Sequence, residues 1–158
     1  MAMGEFARVE EHLQDALERT GIQVADWEIL SLLVDAAARR RDLSALDIYA
    51  DAADEAANRF NQKLHLGMVY RAKGVAHYLR GDFVESKEQF ELSLALFLEL
   101  DARWQAGQTQ FEMGTLAAEQ EDHVVARSNW TAALENFEAM GAVPDVIRTK
   151  DRLASLPQ

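Results

Sequence analysis

The 158-residue chain contains no cysteine, which excludes a disulfide framework and thiolate chemistry. Two prolines and eight glycines leave few points at which a helix must break. Runs rich in valine, isoleucine and threonine, as strands prefer, are scarce. The most apolar stretch, residues 92–98 (Leu-Ser-Leu-Ala-Leu-Phe-Leu), falls far short of the ~20 residues of a membrane helix. The opening residues lack the basic-then-apolar order of a secretory signal. A cytoplasmic protein with no membrane contact is the expectation. A net charge of −11 opposes binding to phosphate backbones, so no nucleic-acid partner is expected. The basic triplet Arg39-Arg40-Arg41 reads as the end of a helix, where cations complement the dipole.

What is present is a repeat. A shift of 40 residues carries Gly67 onto Gly107, Gly74 onto Gly114, Asp82 onto Asp122 and Phe90 onto Trp130. It also carries Ser93 onto Ala133, Leu94 onto Leu134 and Phe97 onto Phe137. Glycines and large apolar residues agree while the remaining positions drift, as in a repeated helical hairpin. An earlier copy is looser. There Tyr49, Ala52 and Ala53 match Phe90, Ser93 and Leu94 once one residue is inserted. Gly4-Glu5-Phe6, Leu13, Ala16 and Leu17 read as an opening half-copy, with Trp27 falling on Trp104 at the same offset.

From Asp82 to Leu100, apolar residues recur on one helical face at Phe83, Phe90, Leu94, Phe97 and Leu98, with Ser86 and Ser93 as small gaps. Asp82 and Glu85 have capping-box spacing. Gly81, Gly21 and Gly141 read as helix stops, and Asp26 and Asp101 as starts. Helices are expected over 5–19, 26–40, 43–60, 63–80, 83–99, 102–120, 123–139 and 144–155. Their short connections make neighbours antiparallel. No linker divides the chain, so residues 1–158 read as a single domain. It comprises a half-repeat at 4–20, repeats at roughly 26–61, 63–101 and 103–141, and a terminal helix at 144–155.

Tyr70, Gly74, Tyr78, Gly81-Asp82-Phe83, Ser86, Phe90 and Ser93-Leu94 resemble a tetratricopeptide repeat. Met113-Gly114, Ala117, Glu121-Asp122-His123, Ala126, Trp130, Ala133-Leu134 and Phe137 resemble another. The usual period is ~34 residues. Here it is 40, similar to the long-repeat bacterial variant found in sensor modules of transcription activators and in peptide-sensing regulators. The resemblance implies an all-α fold, an α-α superhelix of about seven or eight helices in antiparallel hairpins. Gly74 and Gly114 let the helices of a hairpin close together, and Phe90 and Trp130 fill the wedge between adjacent hairpins. The first helix of each hairpin is then expected to line a concave surface. Met68, Arg71, Val75 and Tyr78 fall there from one repeat, and Gln108, Phe111, Thr115 and Ala118 from the next. The first repeat adds residues near Ser31, Val34 and Ala38.

No catalytic constellation competes with this reading. His12, His65, His77 and His123 form no His-Glu-x-x-His motif and no closely spaced pair, so neither a metal nor another cofactor is expected. His123 stands where the other turns carry an aromatic, which suggests packing; His77 is either buried or lines the groove. Phosphate loops and nucleophile elbows are lacking. The carboxylate pairs Glu10-Glu11 and Asp54-Glu55 read as solvated helix faces, and the Asn129-Trp130-Thr131 triplet as a chance match. The expected function is a regulatory or adaptor module, not an enzyme, binding a protein or peptide ligand. Self-association through open solenoid ends, as a homodimer or as part of a longer repeat protein, is the rival; a small helical hydrolase is the remote one.

Overall fold

A computed structural model describes residues 26–157. Among the described residues run seven helices and no strand: α1 (Asp26–Arg40), α2 (Leu43–Arg59), α3 (Lys63–Arg80), α4 (Phe83–Glu99), α5 (Arg103–Glu119), α6 (His123–Ala139) and α7 (Val143–Ser155). The helix expected over 5–19, the Gly21 stop and His12 lie outside the described residues. Each of the other seven spans agrees with its expectation to within one residue at either end.

The connections share one geometry. Arg41, Asn61, Gly81, Asp101, Glu121 and Gly141 all take positive φ, and they stand 20 residues apart. After each, the next amide bonds back to a carbonyl five residues earlier, as Asp42 to Ala37 (3.0 Å), Asp82 to His77 (2.9 Å) and Asp122 to Ala117 (2.9 Å). This closes the helix end and satisfies its last carbonyls. Asp101 is therefore a left-handed turn residue and not a helix start; Ala102 takes the N-cap position. Asp82 is an N-cap residue, but its side chain makes no capping bond, so the expected capping box does not form. The Asp42 and Asp122 carboxylates do cap, accepting from the amides of Ala45 (3.1 Å) and Val125 (3.0 Å).

Within a hairpin the helices run antiparallel at close range. A β-carbon placed on Gly67 would stand 2.7 Å from the Phe97 ring, and one on Gly74 would stand 2.5 Å from Phe90. The same pairs recur as Gly107 with Phe137 and Gly114 with Trp130. Phe90 and Trp130 share core clusters with side chains of the next hairpin, Leu116 for Phe90 and Val146 and Leu153 for Trp130, and each also fills space inside its own hairpin. The reason is local: a glycine on the first helix opens a notch that only the facing aromatic can fill. Trp130 also donates Nε1–H to the Phe111 carbonyl (3.1 Å), which accepts from the Thr115 hydroxyl as well (3.0 Å), so the indole N–H is satisfied where it is buried. Ser86 Oγ donates to the Gly74 carbonyl (2.8 Å).

Hairpins then pack on one another in chain order. Each second helix lies against the next first helix: α2 on α3, α4 on α5, α6 on α7. The first helices are neighbours in turn, α1 beside α3 and α3 beside α5. Ser93 and Thr109 hydroxyls join α4 to α5 at 3.0 Å.

Candidate functional site

The face shared by the first helices is where charged side chains of α1, α3, α5 and α7 meet. Arg71 of α3 is only 4 % exposed, and its guanidinium is divided between two other helices. Its Nη2 donates to Asp35 Oδ1 of α1 and to Gln105 Oε1 of α5, both at 2.6 Å, and its Nη1 donates to the Gln105 carbonyl (3.1 Å). Asp35 also accepts from Arg39 Nε (2.8 Å). Burial pushes the Asp35 carboxyl up, but Arg71 and Arg39 outweigh it and hold the group below its ordinary value.

Toward α7 a second cluster forms. Asp145 accepts from Trp104 Nε1 and from Gln108 Nε2, each at 3.0 Å. Arg148 donates to Asp145 Oδ1 and to Gln108 Oε1, each at 3.1 Å. Its guanidinium lies 4.0 Å from the centre of the Phe111 ring. Arg39 reaches from α1 to stand 4.9 Å from the Trp104 ring. Arg41, at the turn after α1, bonds Glu112 of α5 at 2.6 Å and lies 5.5 Å from the Tyr78 ring. The triplet expected only to complement a helix dipole thus extends two of its arginines across to α5. Helix spacing alone cannot reveal this, because it depends on how the hairpins stack.

Of the residues expected on this face, Met68, Arg71, Val75, Gln108 and Phe111 are buried, as are Ser31, Val34 and Ala38. They hold the helices together and do not present side chains to a ligand. Tyr78, Thr115 and Ala118 are half-buried and keep accessible surface. Burial raises the Tyr78 hydroxyl above its ordinary value, and Glu119 beside it adds to the rise. Trp104, Arg39, Arg41, Glu112 and Arg148 were not among the expected residues, although Arg39 and Arg41 stood out as basic. A signal for Trp104 existed in its rarity.

His77 lies at the junction of α2 and α3, in a polar recess with Asp47, Lys73 and Arg80, with Nδ1 3.5 Å from Asp82. His65 packs edge-on against Trp27, ring centres 4.3 Å apart. An open apolar cleft of about 730 Å³ lies away from the first helices, between α6 and Pro157, and His123 is among its walls. Among the described residues no three histidine, aspartate or glutamate side chains gather as a metal-ligand set. No helix there is long and apolar enough to cross a membrane. No protein-family model matches the chain, and no curated protein sequence matches it either.

Proposed function

We propose that the chain is a superhelical, tetratricopeptide-like scaffold that docks a segment of another polypeptide on the face of its first helices, as a regulatory or adaptor module. One observation carries the reading. The first helices pool arginines against aromatic rings on one face, with Arg39 on Trp104, Arg41 on Tyr78 and Arg148 on Phe111. The chain as a whole is strongly acidic. Rings and guanidiniums at a rigid face are what polypeptide interfaces concentrate at their energetic centres. The buried struts, Arg71 above all, support it by fixing the helices that present the face.

The test is a footprint. A partner segment selected from a library of displayed peptides should protect the amides around Thr115 and Ala118 from hydrogen exchange, and should quench Trp104 fluorescence. Protection confined to α2, α4 and α6 would overturn the assignment. Self-association is favoured by a different observation: Ile48, Val84, Leu98 and Val124, all on second helices, are exposed. If that reading holds, sedimentation detects dimers whose dissociation follows Val84→Glu and Leu98→Glu.

A further inference from the structure

Arg39, Arg41 and Arg148 come from elements far apart in sequence, the end of α1 and α7, and meet over α5. Each spends only part of its hydrogen-bonding edge. Arg39 gives Nε to Asp35, Arg148 gives Nη2 to Asp145 and Gln108, and Arg41 gives Nη2 to Glu112. With Arg71 included, four guanidiniums face three carboxylates, Asp35, Glu112 and Asp145. Arg41 Nη1 is shut away from solvent with no partner among the described residues. An unpaired buried donor costs free energy that a new acceptor can recover. Burial lowers the Arg148 pKa; Asp145 and Glu112 oppose the shift, and the like charges of Arg39 and Arg41 add to it.

We infer that Glu112, which bonds Arg41, stands in for an external oxyanion: Arg41, with Arg39 and Arg148 reaching the same face of α5, forms a receptor for a single carboxylate or phosphate group, which replaces Glu112 on Arg41. The ligand group is small. A long polyanion would meet the repulsion of a chain with net charge −11, whereas one oxyanion on a neutral or basic carrier meets only the local arginines. Bidentate geometry suits guanidinium to either oxyanion. Arg41 gains most, because leaving Glu112 lets its unpaired edge find an acceptor. Trp104, held by Asp145 beneath Arg39, gives the site a rigid floor.

The inference rests on reading this face as a docking surface, and the experiment separates the two. The probes are inorganic phosphate and a capped neutral pentapeptide with one central aspartate, its asparagine counterpart serving as control. Arginine Nε–H NMR signals report binding. Saturable shifts of Arg39, Arg41 and Arg148 are expected with phosphate, with the aspartate peptide or with both, which assigns the source. Glu112→Gln should tighten binding about tenfold, and Arg41→Gln should weaken it about tenfold, each corresponding to one charged hydrogen bond. Arg148→Gln is the second variant should Arg41→Gln fail to fold. Lys87→Gln on α4 should change nothing. No saturable shift in Glu112→Gln protein, or equal shifts with the asparagine peptide, overturns the inference. Displayed peptides that bind wild type and Arg41→Gln and Arg148→Gln proteins equally would sink the oxyanion site and leave the docking face standing. Oxyanion binding with no displayed peptide bound does the reverse.

Discussion

In the hairpins α3–α4 and α5–α6 the first helix gives up its side chain and the second fills the space: Gly74 lies under Phe90 and Gly114 under Trp130. The hairpin α1–α2 assigns the bulk the other way. At the positions 40 residues earlier stand Val34 and Ala50, both buried, and Trp27 and Ala57 take the places of Gly67 and Phe97. The turns keep their 20-residue spacing throughout, so the register is shared while the larger side chain stands on the first helix; Trp27 packs against His65 of α3. A close-packed interface fixes the sum of two side chains more tightly than either one.

The largest expected effect breaks one side of this comparison. Trp130→Ala and Phe90→Ala should each cost ~3–5 kcal/mol of stability in denaturant unfolding, since no neighbour can fill a notch cut for an aromatic ring. Trp130→Ala should be the worse of the two, because it removes the larger ring and with it the indole bond to the Phe111 carbonyl, which keeps the Thr115 hydroxyl as a donor. A loss below ~0.5 kcal/mol at either position would mean that the ring is not in the notch.

The same exchange explains what the sequence revealed and what it concealed. The seven described helices and the stops at Gly81 and Gly141 were legible because apolar faces and glycine breakers are local signals, whereas the left-handed turn at Asp101 carries no such breaker and reads in the sequence as a helix start. The first hairpin was misaligned by one residue: matching Tyr49 to Phe90 required an insertion that does not exist. The frame in fact pairs Ala50 with Phe90, Ala53 with Ser93 and Ala57 with Phe97. An alignment that follows aromatics fails where the aromatic has crossed to the other helix. The first-helix face was legible only as a set of positions. Whether Arg71 points outward or becomes a buried strut depends on Asp35 and Gln105 arriving from two other helices.

A double exchange sharpens the comparison. Gly74→Val should clash with the Phe90 ring, and Phe90→Ala should leave a void, so each alone destabilises. Together they rebuild the arrangement of α1–α2. The double variant should be more stable than the sum of the singles by ~1–3 kcal/mol, the range for directly coupled residues. Strict additivity in thermal melts would show that bulk is not interchangeable across the interface.

The first-helix struts give a pH test. The folded-state pKa of Asp35 is lowered, so its contribution to stability is present above its unfolded value and is lost as pH falls through the folded one. Stability should therefore drop as pH falls from ~4, and Asp35→Asn should flatten that limb of the curve while lowering the plateau near neutrality. An unchanged acid limb in Asp35→Asn would place the acid sensitivity in other carboxylates.

The smallest effect concerns the turns themselves, again by comparing the hairpins. Asp42 opens α2, Asp82 opens α4 and Asp122 opens α6, in equivalent places. Only the first and last accept from an amide of the following turn. Asp82 lies instead 3.5 Å from His77 Nδ1, which makes no hydrogen bond, so among the described residues its carboxylate holds no amide and no bonded partner. Alanine at Asp42 or Asp122 should therefore cost ~1 kcal/mol, as loss of a capping oxygen does. Alanine at Asp82 should cost less than ~0.5 kcal/mol. Gly81 already ends α3 with a left-handed residue free of steric penalty, so that turn depends less on its aspartate than the turns at Arg41 and Glu121, which hold side chains at positive φ. Equal losses at all three aspartates in urea melts would mean that Asp82 caps in solution as the others do, and the difference between the turns would disappear.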